Sequence, residues 1–156
     1  MAIELVRTYL REKGLEDRIL EFAQSSATVE LAALAVGCEP ARIAKTLSFD
    51  LGETCALIVC AGDVKIDNGK FKVQFHTKAK MLPHEQVEER IGHAVGGVCP
   101  FAVKETAVVY LDASLRRFDT VYPAAGSDHS AVRLTCEELK SASGGVWIDV
   151  CKPAQG

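Results

Sequence analysis

Three places in this 156-residue chain combine residue type and spacing in a way that could do chemistry. The first is Gly96-Gly97-Val98-Cys99-Pro100-Phe101. Paired glycines admit positive φ and close backbone approach, while the proline holds the far end and removes one donor. Such a loop either offers bare N–H groups to a ligand carbonyl or phosphate, or makes an ordinary tight turn. The second is Ala125-Gly126-Ser127-Asp128-His129-Ser130, where two titratable side chains sit at a turn tip. His129 there can serve as acid, base or donor near neutral pH, or stand idle in solvent. The third is Lys45, in the alternating run Lys45-Thr46-Leu47-Ser48-Phe49-Asp50. It shares the parity of Leu47 and Phe49, the side expected to face inward, so it either snorkels to an edge or lines a cleft.

Several reaction classes lack their signatures. There is no G-x-x-x-x-G-K-[ST], no G-x-G-x-x-G, no G-x-S-x-G, and His84-Glu85 lacks the second histidine of H-E-x-x-H. Cys38, Cys55, Cys60, Cys99, Cys136 and Cys151 form no C-x-x-C pair, so no metal site is indicated and most are read as reduced, buried small hydrophobes. His76, His84 and His93 have no partner pattern and are read as structural. A net charge of −3 means that any nucleic-acid contact must be local. Between Asp63 and Lys80, five lysines, Lys65, Lys70 and Lys72 among them, face two aspartates. They make either a phosphate-contacting patch or a solvated face.

The surrounding elements must position these groups. With 48% apolar and 25% charged residues, the chain has an ordinary globular composition, and its length fits one domain over residues 1–156. The N-terminus lacks the apolar stretch of a signal peptide, and no run approaches the ~20 residues of a membrane helix, so a cytoplasmic location is expected. Ile3 to Lys13 reads as an amphipathic helix stopped by Gly14, and Thr28 as the cap of a helix over Val29 to Val36 closed by Gly37. A short helical turn follows Pro40. Cys55 to Cys60 is a central strand. Asn68-Gly69 signals a type I′ hairpin between Val64–Ile66 and Phe71–Phe75, with a helix capped by Asp67 as the alternative. Pro83 to Ile91 reads as a helix ended by Gly92. Strands follow at Ala107 to Leu111, Arg117 to Tyr122 and Ala131 to Leu134. A helix capped by Thr135 and a last strand from Val146 complete the chain. The expected fold is α+β, a mixed and mostly antiparallel, barrel-like sheet with helices around it.

Taken in order, Ala44-Lys45-Thr46-Leu47-Ser48-Phe49, the Gly96–Phe101 loop, Leu111-Asp112-Ala113-Ser114-Leu115, Ala125-Gly126 and Trp147-Ile148-Asp149-Val150 resemble the YbaK/ProX family of trans-editing aminoacyl-tRNA deacylases. The resemblance runs over nearly the whole chain. It implies hydrolysis of the ester joining a wrong amino acid to the acceptor end of a tRNA, with no metal or nucleotide cofactor and with an aminoacyl-tRNA synthetase as a further partner. Carried over by position, Lys45 holds the terminal phosphate or the aminoacyl group, and the backbone of Gly96 and Gly97 binds near the ester and orients water. Thr46, Cys99, Pro100, Phe101, Asp112 and Gly126 belong to the substrate pocket, and His129 matches a histidine found in part of the family. Lys65, Lys70 and Lys72 become tRNA contacts. A module that binds tRNA or a synthetase without catalysis, and a small-molecule esterase, are the competing readings. Family members often carry glycine after Pro-Phe, where this chain has Ala102, so a different loop exit or pocket depth is expected.

Overall fold

The computed structural model describes residues 2–154. Its centre is β3 (Cys55–Ala61), whose seven residues are all buried. On one side β3 pairs antiparallel with β2 (Ile43–Asp50), and on the other parallel with β5 (Ala107–Asp112). Beyond β2 lie β6 (Thr120–Pro123), parallel to it, and β8 (Leu134–Thr135), antiparallel to β6. Beyond β5 lies β9 (Val146–Ile148), parallel to it. Two antiparallel ribbons complete the sheet structure: β1 (Ile19–Glu21) with β7 (Ser130–Val132), and β4 (Val64–Ile66) with β10 (Cys151–Pro153). The main sheet curls into a half-barrel with helices around it, the mixed α+β arrangement expected from the sequence.

The helix signals hold where they are local. Helix α1 spans Ala2–Glu12 and buries Val6 and Leu10. Thr28 caps α2 (Val29–Val36) by accepting the Leu31 N–H at 3.1 Å, and Gly37 ends it with φ +84°. Helix α4 (His84–Ile91) follows Pro83 and stops at Gly92 with φ +103°. Helix α5 (Cys136–Ser143) opens with a reciprocal capping box between Thr135 and Glu138.

The hairpin expected at Asn68-Gly69 is absent. Instead Asp67 accepts the Lys70 N–H at 3.0 Å and caps α3 (Asn68–Phe75). Two contacts decide between the alternatives. Helical spacing stacks Phe71 on Phe49 and on Phe75, with ring centroids 5.0 and 4.6 Å apart, and sets Phe75 edge-on to Tyr110. Meanwhile β4 finds its partner in β10 near the end of the chain, not in the residues that follow it. Two further readings shift. Arg117 ends a 3-10 turn (Ala113–Arg117) before β6 begins, and the run at Ala131–Leu134 splits into β7 and β8 with different partners.

Candidate functional site

Strand β2 is only partly covered on its outer edge. Its ladder with β6 stops at the pairs Ile43–Tyr122 and Ala44–Pro123. Further along, Met81 bridges to Phe49, Leu82 donates to the Ser48 carbonyl at 3.0 Å, and Asp50 donates to the Lys80 carbonyl at 2.8 Å. Between these two partners Lys45, Thr46 and Leu47 border a cavity of about 380 Å³. Its other walls are the start of α2 (Thr28, Val29, Ala32), the start of α4 (His84, Val87), and the segment Val95, Gly96 and Val98. Tyr122 and Ser130 close it.

One lysine and two helix starts border this cavity. The N-terminal ends of α2 and α4 both border it, each the positive pole of a helix. Lys45 is the one lysine or arginine among the described residues of the lining, and its ammonium donates to the Val64 carbonyl. Anchored there, the side chain lines a cleft, one of the two outcomes open from its position in the sequence. Among the described residues the lining also carries the hydroxyls of Ser26, Thr28, Thr46, Ser48, Tyr122 and Ser130, and no Asp or Glu. Such a lining suits an anionic or ester-bearing ligand better than a cation.

The two glycine loops of the sequence meet at this wall. Gly96 adopts φ +95° and Gly126 φ +92°, both in the region that favours glycine. Gly97 is pressed against the second loop: a Cβ there would lie 2.8 Å from the Ser127 nitrogen and 2.9 Å from the Gly126 carbonyl carbon. The Gly97 N–H already donates to the Ala94 carbonyl at 3.0 Å, so Gly97 holds the loops together while Gly96 faces the cavity. Ser26 fastens the second loop, donating its N–H to Asp128 and accepting the Ser130 N–H on its hydroxyl.

Past Gly97 the first loop dives inward. Cys99, Pro100 and Phe101 are buried in the core and do not line the cavity. Burial pushes the Cys99 thiol up to about 12, which removes it as a nucleophile. The buried His93 donates from Nε2 to the Phe101 carbonyl at 2.7 Å and lies 3.5 Å from the Cys99 sulfur. Ala102 takes φ +54°, a left-handed conformation that glycine adopts more easily.

The sequence matches the family model of the aminoacyl-tRNA editing domain over residues 23–142. The chain belongs to that family. It is 51% identical over 154 residues to YwhH of Bacillus subtilis (strain 168), an uncharacterized protein, covering 97% of this chain and 98% of that one. Its fold matches a crystal structure of a candidate trans-editing enzyme for prolyl-tRNA synthetase with a TM-score of 0.88 and 28% identity, over 97% of each chain. It also matches the hypothetical protein APE2540 with a TM-score of 0.85 and 28% identity, over 95% of this chain and 99% of that one. These matches bear out the YbaK/ProX resemblance and the fold.

Within this editing domain the remaining sequence candidates fall outside the cavity lining. Asp112 is 1% exposed, and its carboxylate accepts the Ser114 N–H and the Val150 N–H, both at 2.9 Å. It clamps the end of β5 to the following turn and to the segment before β10. His129 is half-exposed, with Nδ1 held 2.5 Å from Asp128 Oδ1, on the loop next to Gly96. Lys65 is exposed on β4, next to the carbonyl that anchors Lys45. Lys70 is engaged by Asp149 and the Cys151 carbonyl, and Lys72 is exposed on α3. In the other direction the cavity recruits Ser26, His84 and Tyr122, which the sequence does not single out as site residues, and Ser48 and Ser130, which lie in singled-out segments but carry no role there. No helix among the described residues is long and apolar enough to cross a membrane.

Proposed function

We propose that this chain hydrolyses the ester between a wrong amino acid and the 3′ end of a tRNA. The observation that carries the reading is the meeting of Lys45 and Gly96 on the walls of one cavity, beside an uncovered strand edge, in a member of the editing family. The ammonium of Lys45, braced by Val64, meets a phosphate or the acyl group of the acceptor end. Gly96 lets the backbone approach the ester closely. Water adds to the acyl carbon, its proton passes to the departing ribose oxygen, and the free amino acid leaves.

Chemical economy supports this assignment. An aminoacyl ester is already activated, and preorganised donors at its carbonyl contribute about 3–4 kcal/mol each to lowering the barrier, so a positioned water can replace a side-chain nucleophile. Thr46 shapes the acyl pocket, and one methylene there shifts selectivity by only ~1–3 kcal/mol. Cys99, Pro100, Phe101, Gly97 and Gly126 support the walls from behind, while Asp112 clamps the end of β5. His129 is a rim residue, with Lys65 the nearest of the predicted tRNA-contacting lysines to the Lys45 anchor. The setting is cytoplasmic, and a synthetase is a fitting second partner, since one solved relative is described as serving prolyl-tRNA synthetase.

The test is release of amino acid from a panel of mischarged tRNAs by the purified protein. At least one should be hydrolysed, and Lys45→Ala should lower kcat/KM by about 100-fold or more, roughly 3 kcal/mol, with the melting temperature kept. Unchanged rates in Lys45→Ala would remove its role. Salt-dependent tRNA binding with no turnover on the whole panel would favour the non-catalytic binding module.

A further inference from the structure

The uncovered edge of β2 has a direction. Ser48 accepts and Asp50 donates on the side that faces the Lys80–Leu82 segment. Alternate residues of a strand point N–H and C=O to the same edge, so Thr46, next in that series, directs both groups to this side as well. The opposite side of the strand agrees: the Ala61 N–H, across from Ala44, turns away from β2 to donate to Ser114 Oγ. Thr46 lies past the last β6 pair and short of the Met81 bridge, on the cavity wall. Its hydroxyl Oγ1 is buried with no hydrogen-bond partner among the described residues. The next hydroxyl along this edge, Ser48, is 8% exposed and lines the same cavity. Among the described residues, Thr46 thus has no strand partner for its outward donor and acceptor and none for its side-chain oxygen. A buried side-chain oxygen without a partner, such as Thr46 Oγ1, is rare in folded proteins.

We propose that Thr46 reads the aminoacyl group as one residue of an added strand. The inference rests on the hydrolytic reading above and names how the same cavity selects its substrate. An aminoacyl ester carries a nitrogen and a carbonyl on either side of one α-carbon, as a chain residue does. It can therefore exchange two hydrogen bonds with a single edge residue, as an antiparallel pair does. The α-ammonium donates to the Thr46 carbonyl, and the ester carbonyl accepts from the Thr46 N–H. The second bond strengthens as charge builds on that oxygen during water attack. Two consequences follow. The substrate must have an unblocked α-amino group, and the acyl side chain is selected by the cavity walls rather than by this pairing.

Thr46→Pro deletes the N–H where no ladder bond depends on it, because proline is tolerated where the N–H side of a strand is unpaired. Thr46→Val removes the hydroxyl and keeps the N–H. On a mischarged tRNA that the wild type hydrolyses, kcat/KM of Thr46→Pro should fall about 100-fold below that of Thr46→Val, the effect of losing one oxyanion donor. A second measurement does not depend on turnover or on the proline variant folding. Wild-type protein is titrated with 3′-aminoacylamino-adenosine, whose amide resists hydrolysis, and with the same compound lacking the α-amino nitrogen. The first should bind about 10- to 100-fold more tightly, the range for a charged hydrogen bond, and should shift the Thr46 amide resonance in an isotope-labelled sample. Equal affinities, an unmoved Thr46 resonance, or a folded Thr46→Pro as active as Thr46→Val would each overturn the inference. Tight, amino-dependent binding that moves Thr46, without hydrolysis of any mischarged tRNA, would uphold the pairing and remove the hydrolytic function.

Discussion

Strands β2 and β3 lie side by side in register over seven residue pairs, yet their surroundings oppose each other. β3 has a neighbour on each edge, and every one of its residues is buried and apolar or cysteine. β2 has one complete neighbour, a broken second edge, and Lys45, Thr46 and Ser48 in its middle. One strand stabilises and the next one recognises. Because β3 is hydrogen-bonded along both edges, it can hold β2 straight while the outer edge of β2 goes without a partner. The polar groups that a core could not tolerate are then available to a ligand.

Substitutions that strike one strand or its supports should keep the two roles apart. The largest loss of stability is expected from Leu57→Ala in β3, where a fully buried side chain is removed between two paired neighbours. Denaturant unfolding should report a loss of about 2–5 kcal/mol, with deacylation per folded molecule little changed. Lys45→Ala on β2 should do the reverse. Gly97→Ala comes next. Its φ is not in the left-handed region, so the difficulty is space, since a Cβ would stand under 3 Å from the Gly126–Ser127 backbone. The loops must part, with a loss of about 1–3 kcal/mol. Activity should fall with it, because Gly96 shares the displaced segment. If Gly97→Ala lost stability and kept full activity, the loop pair would not position the site.

The smallest effect concerns acid. Burial holds the His93 imidazole below its ordinary range, so the unfolded chain binds the proton first as pH falls. Stability should be complete above the unfolded value near 6.5 and should decline below it, with a slope no steeper than about 1.4 kcal/mol per pH unit. The neighbouring Cys99 thiol, pushed up to about 12, stays neutral throughout. Melting curves of wild type and His93→Gln between pH 7.5 and 5 should show the steeper decline in the wild type. Parallel declines would assign it to other groups.

Much of this could be read before folding was considered. The caps at Thr28 and Thr135, the stops at Gly37 and Gly92 and the apolar run of β3 depend on neighbours within four residues and appear as expected. Asn68-Gly69 misled because its local preference for a turn competes with an aromatic cluster drawn from β2, α3 and β5. Cys99 and Phe101 belong to the right loop but face the wrong way for a binding wall, and the direction of a loop side chain depends on what it packs against. His84 and Tyr122 gave no signal, since each is ordinary in its own stretch of chain.

The sequence by itself determined the order of the motifs and the α+β class, because these rest on residue types at short spacings; the resemblance carried by that order gave the family and the pairing of Lys45 with the Gly96 loop. Only the tertiary structure decided that β6 stops at Ala44, that the chain at Met81 returns at Phe49, and that Thr46 between them has no strand partner on its outer edge among the described residues. Whether a backbone group is satisfied depends on which distant segment comes to lie beside it, and no residue carries that information in its own side chain.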